Sequence, residues 1–185
     1  MAWRNAETQY GRTARTFHWL VAAMLLGQFS LAFTMVAMPE GELQYKLTNL
    51  HESIGITILA ITTARLIWRW IDPPPPPLPM PPLMRLGSRI VHGALYAVLF
   101  AIPATGYLMT NALGFPVVLF GALPLPDLVG LNRPFGFAVL AAHYWLGMAL
   151  LVLFAAHAGA ALLHHLVLRD GTLRRMLPRR SGDTP

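Results

Sequence analysis

The chain has 185 residues, of which 55% are hydrophobic and only 12% are charged, and its formal net charge of +6 comes almost entirely from arginine. This composition is too apolar for an ordinary soluble domain, and it predicts an all-α integral membrane protein built as one bundle of four transmembrane helices. Because the chain has no cysteine, disulfides, zinc thiolates, iron–sulfur clusters and covalent c-type haem attachment are excluded.

Two helices are predicted in the first part of the chain. The first runs from Thr16 to Met38 and ends at Pro39. Its apolar run is longer than the core of a signal peptide, so we interpret it as a membrane span that is retained. A polar loop over residues 40–48 leads to the second helix, which is predicted from Asn49 to Ile71.

A run of five prolines, Pro73 to Pro77, separates the second helix from the third. These residues have no N–H donors, so they predict a stiff extended connector, either a plain linker or a docking segment for another protein. The third helix is predicted from Leu83 to Asn111, and Pro103 and Gly106 are expected to kink it.

The segment from Ala112 to Pro134 is unusually apolar for a loop, but its prolines and glycines forbid a membrane span. We expect it to lie in the membrane interface or to cover one end of the bundle. The fourth helix is predicted from Phe135 to Leu168 and is longer than a bilayer requires, so it should protrude or tilt. The basic stretch from Arg169 to Arg180 is expected to contact lipid headgroups.

Positive charge predicts the orientation in the membrane. If the N-terminus is cytoplasmic, only Lys46 and Arg133 lie on the outer side. Both termini are then cytoplasmic, and the outer loops carry little positive charge, which gives no independent support for the steering of an anion. The inner side holds Arg4, Arg12, Arg15, Arg65, Arg69, Arg85, Arg89, Arg169, Arg174, Arg175, Arg179 and Arg180.

Histidines mark two depths in the predicted bundle. His143 and His157 lie fourteen residues apart in the fourth helix, which corresponds to a rise of about 21 Å with both side chains on the same face. The topology places His51 at the depth of His143, near the periplasm, and His18 at the depth of His157, near the cytoplasm. Each pair predicts two imidazoles on opposite faces of one haem. Because both axial positions of the iron would then be occupied, the expected chemistry is electron transfer and not oxygen activation.

Small residues and further histidines surround these pairs. Gly55 and Gly147 each follow a proposed ligand by four residues, where they leave room for a porphyrin or for close helix packing. His92 lies at about the predicted depth of His18 and His157 and is the competing candidate for an axial ligand. We expect it instead to contact a haem propionate or a quinone, or simply to pack. His164 shares the face of His157, so it is a candidate for hydrogen bonding a quinone carbonyl; interfacial packing is the alternative for it and for His165.

Ordered segments along nearly the whole chain resemble one known family. They are Arg15–Leu20, His51–Ile56, His92–Tyr96, Pro103–Tyr107, His143–Gly147, His157–His165 and Asp170–Pro178. With these segments the chain resembles the bacterial cytochrome b561 family, within the broader group that contains the cytochrome b subunits of nickel hydrogenases and formate dehydrogenases.

The resemblance implies a four-helix protein of the bacterial inner membrane that holds two b haems, with His18, His51, His143 and His157 as axial ligands. It also implies electron transfer between a periplasmic donor and the membrane quinone pool. The compact members of the family resemble superoxide oxidases, which pass an electron from periplasmic superoxide to ubiquinone.

Three functions follow as alternatives. The first is a superoxide:ubiquinone oxidoreductase. The second is a cytochrome b subunit of a larger hydrogenase or dehydrogenase, with the loop Ala112 to Pro134 as the surface that docks a redox protein. The third is a metal or proton transporter that is lined by histidines and has no haem; it lacks intramembrane carboxylate partners, because Glu52 is the only acid near a histidine.

Overall fold

The computed structural model of the protein describes residues 3–177; Pro178, Arg179 and Arg180, which the sequence assigns to the basic C-terminal stretch, lie outside them. The described part contains four long helices, a two-stranded antiparallel hairpin and a short 3-10 helix. In chain order these are α1 (Arg12–Ala37), α2 (Glu42–Ile71), α3 (Pro82–Ala112), β1 (Val118–Leu119), β2 (Leu123–Pro124), α4 (Arg133–Leu166) and the 3-10 helix Arg174–Met176.

All four helices are long and apolar enough to cross a membrane, which confirms the predicted fold class. The longest, α4, has 34 residues and therefore a length of about 51 Å. That exceeds a hydrocarbon core of about 30 Å, in agreement with the expectation that this helix is longer than the bilayer requires.

The second helix begins earlier than predicted. It starts at Glu42, seven residues before Asn49, so most of the predicted polar loop is helical. Lys46 pairs with Glu42 at 2.6 Å, an i, i+4 contact that supports a first turn without apolar periodicity. His51 therefore lies well inside α2 and not at its start.

The helices pack as two pairs, α1 with α2 and α3 with α4, and α2 joins the pairs by contacting α3. One apolar layer with residues from each of the four long helices fills the middle of the bundle. It contains the buried residues Val21, Leu25, Ile58, Leu99 and Leu150. On α4, Leu150 lies midway between His143 and His157, so this layer separates the two histidine levels.

One end of the bundle, the hairpin end, is covered by residues 113–132. The hairpin turns through Phe120 and Gly121, which have φ angles of 51° and 68°. It is attached to α2 because Asn49 Nδ2 donates to the Val118 carbonyl at 2.6 Å and the Phe120 N–H donates to Ser53 Oγ at 2.7 Å. The predicted cover is therefore observed, although its two strands were not predicted.

The opposite end, the terminal end, is closed by three segments, residues 3–11, 72–81 and 170–177, which we call the terminal cap. Asn5 N–H donates to Asp72 Oδ2 at 2.8 Å. Arg175 donates through Nε to the Thr8 carbonyl at 2.8 Å and through Nη1 to the Pro76 carbonyl at 2.9 Å. The proline connector is thus packed into the cap, and Arg175 is held by the protein itself although the sequence assigned it to lipid headgroups.

Candidate functional site

At the hairpin end, the imidazole rings of His51 and His143 face each other from α2 and α4. Their centroids are 6.2 Å apart and their planes are inclined by 73°. Neither α1 nor α2 packs closely along α4, so the two rings meet between helices that are not in close contact. This is the pair that the depth argument predicted.

Helix α3 fixes the orientation of the His143 ring. His143 Nδ1 lies 3.0 Å from the Ile102 carbonyl and 3.2 Å from Thr105 Oγ1. A carbonyl can only accept, so Nδ1 carries the proton and Nε2 keeps its lone pair. Gly106 lies directly beside the ring, since a Cβ there would be 3.2 Å from His143 Cε1.

A cavity of about 240 Å³ lies beside this pair and is almost wholly apolar. Gly55 and Gly147 line it together with both histidines. A Cβ at either glycine would make only ordinary contacts, 3.5 Å from Gln28 Nε2 and 3.9 Å from Ile102 Cδ1, so these glycines widen the cavity and do not mark a helix crossing.

Buried polar atoms without partners border the same cavity. Gln28 Nε2 donates to the His51 carbonyl at 2.8 Å, but within residues 3–177 neither Gln28 Oε1 nor His51 Nδ1 has a hydrogen-bond partner. The carboxylate of Glu52 accepts a hydrogen bond from Thr110 Oγ1 at 2.8 Å. Unpartnered buried polar atoms are costly, and here they lie where a polar-edged cofactor would be held.

At the terminal end, the second predicted pair is also brought together. The His18 and His157 rings have centroids 6.0 Å apart, with planes inclined by 67°. Arg65 Nη2 donates to His18 Nδ1 at 3.2 Å, so the proton of neutral His18 is on Nε2. Nε2 can bind a metal only after this proton moves to Nδ1, so Arg65 must first turn away from Nδ1.

His92 lies beside the terminal-end pair, with its ring centroid 5.1 Å from that of His157. Its Nδ1 donates to the Ser88 carbonyl at 2.6 Å. Two imidazoles on opposite faces of one metal, with metal–nitrogen bonds of about 2 Å, have ring centroids about 6 Å apart. The two predicted pairs fit this separation, whereas His92 and His157 are too close.

The types of side chain at the two levels indicate which kind of cofactor they could bind. Among the described residues, no cluster of three or more His, Cys, Asp or Glu side chains could hold a metal ion. Two imidazoles alone leave a metal unsaturated, but a porphyrin supplies the remaining four nitrogens. The residues present therefore fit a bis-histidine haem at the hairpin end, where a cavity lies beside the pair, and at the terminal end the ring separation supports the same arrangement. They give no support to a transporter lined with metal-binding histidines.

His164 lies at the end of α4 and is paired with a residue that the sequence analysis did not single out. His164 Nδ1 is 2.5 Å from Asp170 Oδ2, and the Thr172 N–H donates to Asp170 Oδ1 at 2.8 Å. Burial acts to raise the pKa of the Asp170 carboxyl, but the hydrogen bonds from Thr172 and His164 outweigh it and lower this pKa to about 2. Neighbouring His165 has a buried Nδ1 with no partner within the described range.

Comparison with known proteins was consistent with these features. The sequence profile of the family described as prokaryotic cytochrome b561 matches residues 9–179. Cytochrome b561 homolog 2 of Escherichia coli (strain K12) is 40% identical over 188 residues, which cover 99% of this chain and 98% of that protein. The probable superoxide oxidase CybB of Yersinia pestis is 30% identical over 166 residues, or 89% and 93% of the two chains. Cytochrome b561 homolog 1 of the same Escherichia coli strain is 28% identical over 181 residues, or 93% and 98%.

Proposed function

The chain belongs to the prokaryotic cytochrome b561 family, and on that premise we propose that it carries electrons through two b haems from periplasmic superoxide to ubiquinone. Membership establishes a haem-binding, multi-pass electron-transfer protein of the inner membrane. The number of haems, their ligands, the donor, the acceptor and the orientation are the proposal.

The observation that carries the proposal is the pair of equal ring separations, 6.2 Å for His51 and His143 and 6.0 Å for His18 and His157. Both fit one metal between two imidazoles, and the apolar layer of the bundle lies between the two levels. When bound, such a haem supplies a one-electron carrier without an open coordination position.

The chain's own residues prepare the hairpin-end level for this role. The Ile102 carbonyl holds the proton of His143 on Nδ1, so Nε2 is presented as a ligand. Gly55 and Gly147 leave volume in the apolar cavity, and the hairpin covers its outer side. Water exclusion of this kind limits side reactions of a reduced cofactor.

We place the terminal end in the cytoplasm, because nearly all the arginines lie on that side and positive charge is retained inside. The hairpin end then faces the periplasm, where the donor arrives. Ubiquinone takes up two electrons and two protons, while two superoxide ions each lose one electron to give dioxygen. His164 at the terminal end is the proposed quinone contact.

Superoxide is proposed as the donor because a relative that shares 30% identity is described as a probable superoxide oxidase. One observation favours a protein donor instead, as in a hydrogenase or dehydrogenase complex. The hairpin end exposes large apolar side chains that could dock another subunit, although the membrane interface would also cover them. They are Phe115, Phe120, Leu123, Leu128 and Leu131.

The first experiment is a count of haem by pyridine haemochrome on the purified protein, with dithionite-reduced minus oxidised spectra. Reduction with superoxide follows. Two b haems per chain that superoxide reduces would support the full proposal. Two haems that superoxide leaves oxidised would replace superoxide with a protein donor, and a protein without haem would overturn the assignment of all four histidines.

A further inference from the structure

The chain reverses direction directly after α4 and returns a carboxylate to that helix. Arg169 adopts a left-handed conformation, with φ of 52°, which is strained for a residue other than glycine. The Asp170 N–H then donates to the His164 carbonyl at 3.1 Å, and the Asp170 side chain contacts the ring of the same histidine. Asp170 thus contacts both the main chain and the imidazole of His164, and these contacts offset the strain of the turn.

This contact fixes which nitrogen of His164 is available. A carboxylate only accepts hydrogen bonds, so His164 Nδ1 carries a proton that is directed at Asp170. Thr172 Oγ1 lies 3.4 Å from the same nitrogen. Nε2 is therefore the atom left for a ligand.

Asp170 itself is ionised under all physiological conditions, since its pKa is about 2: burial opposes ionisation, but bonds from Thr172 and His164 prevail. The charged groups of the surrounding elements have other contacts. Arg15 of α1 donates to the Leu177 carbonyl, and Arg175 of the cap donates to main-chain carbonyls. His165 lies next to His164 on α4, and Arg169 next to Asp170.

His164 and Asp170 lie at the same end of the bundle as the pair of His18 and His157. The residue after His18, Trp19, donates through Nε1 to the Met176 carbonyl at 2.8 Å, so the segment that carries Asp170 crosses α1 beside that pair. On α4, His164 follows His157 by about two helical turns. A quinone that reaches this end through the membrane would contact His164 Nε2. The terminal cap lies on the side of the aqueous phase, from which protons arrive.

We propose that Asp170 is the positioning residue that makes His164 the proton donor to ubiquinone, an inference that rests on the proposed function. His164 gives the proton on Nε2 to a quinone carbonyl oxygen as an electron arrives, and the O–H bond forms while the Nε2–H bond breaks. The ring regains a proton from cytoplasmic water, and the sequence repeats with the second electron. Two electrons and two protons convert the quinone into the quinol.

The test uses the purified full-length holoprotein, reduced with a stoichiometric amount of dithionite and mixed rapidly with ubiquinone-1. The rate of haem re-oxidation is measured from pH ~5.5 to ~9, a range that spans imidazole titration. This readout does not depend on the physiological donor. The variants are Asp170→Asn, Asp170→Glu as the conservative rescue, and Glu7→Gln as a control that removes another carboxylate from the terminal cap.

We expect Asp170→Asn to slow re-oxidation about tenfold or more at pH ~8, in keeping with the loss of a positioned proton donor. The variant should approach the wild-type rate at pH ~5.5, where protons from water reach the quinone without a positioned donor. Haem content should not change, and the variant should stay fully folded at the assay temperature, although its thermal midpoint falls slightly because the ionised Asp170 also stabilises the terminal cap. Asp170→Glu should recover most of the rate, and Glu7→Gln should match the wild type throughout.

Two outcomes would overturn the inference while leaving the proposed function in place. One is an Asp170→Asn rate and pH profile equal to those of the wild type. The other is a slow variant that has also lost haem or is partly unfolded at the assay temperature, which would make Asp170 a folding residue only. If ubiquinone-1 fails to re-oxidise even the wild-type protein, it is the proposed function that fails, and the proton-donor role fails with it.

Discussion

The two histidine pairs have nearly equal ring separations, but their surroundings differ. At the hairpin end, His143 is held by the neutral carbonyl of Ile102 in an apolar cavity. At the terminal end, a guanidinium contacts His18 and His92 packs against His157. The first pair presents Nε2 of His143 as a proposed metal ligand, whereas the second has a cation next to a proposed ligand.

This difference has a consequence for electron flow. A positive charge near a haem favours its reduced form, because reduction lowers the charge of the iron centre. Arg65 should therefore give the terminal-end haem the higher reduction potential. Electrons that enter at the hairpin end would then move downhill toward the terminal end, which is the direction that the proposed function requires.

The largest expected effect comes from removing the imidazole of His143, the proposed ligand whose orientation α3 fixes. His143→Ala should reduce the haem content from two per chain to about one, because one axial bond and the fixed Nε2 are lost together. Pyridine haemochrome analysis measures this directly. His92→Ala is the control and should keep both haems, since its ring is too close to His157 to share a metal. The proposed pairing fails if His92→Ala loses a haem and His143→Ala does not.

A subtler change tests whether α3 really positions the hairpin-end ring. The Cβ of Gly106→Ala would lie 3.2 Å from His143 Cε1, so the ring must move and haem affinity at that level should fall by about tenfold. Gly93→Ala on the same helix is the matched control, because its Cβ would meet nothing within 4 Å. Both variants gain the same helix propensity, so equal haem titrations of the apoproteins would show that Gly106 has no positioning role.

The charge difference between the two ends is tested by Arg65→Gln. The potential of the proposed terminal-end haem should fall by about 50–100 mV, on the order of what the loss of one nearby charge produces in a partly buried site. The other haem should keep its potential. Arg69→Gln removes an exposed arginine one turn further along α2 and should have a smaller effect. If redox titration showed equal shifts in the potentials of both haems, Arg65 would not account for a difference in charge between the two ends.

The smallest effect concerns acid stability of the terminal end. The pKa of Asp170 in the folded protein is about 2, below its ordinary value of 3.8, because hydrogen bonds from Thr172 and His164 outweigh the opposing effect of burial. A lowered carboxyl pKa stabilises the fold above the ordinary value, and this contribution is lost as the pH falls from ~4 to ~2.

The thermal midpoint measured across that pH range should therefore drop more steeply for the wild type than for Asp170→Asn, which has no carboxyl to protonate. The hairpin end provides an internal reference. The spectrum of the haem proposed between His51 and His143 should not change with the protonation of Asp170 between pH ~4 and ~2. Parallel curves for the two proteins would show that Asp170 contributes nothing to the stability of the cap.

Sequence patterns gave the four helices and the pairing of histidines by depth. The predicted helix ends lie within a few residues of the observed ends except at the start of α2, where the first turn is polar and rests on the Glu42–Lys46 pair. The covering role of residues 113–132 was predicted from their prolines and glycines. The hairpin itself was not, since each strand has only two residues and two residues carry no periodic signal.

The sequence by itself determined the membrane class and the levels of the four histidines, because hydropathy and helical rise are local properties that act along one segment at a time. Only the tertiary structure decided what surrounds each ring. The contacts of Ile102 with His143 and of Arg65 with His18 join different helices, and the terminal cap joins segments from both ends of the chain. Such contacts depend on how the helices pack against one another, which no local pattern records.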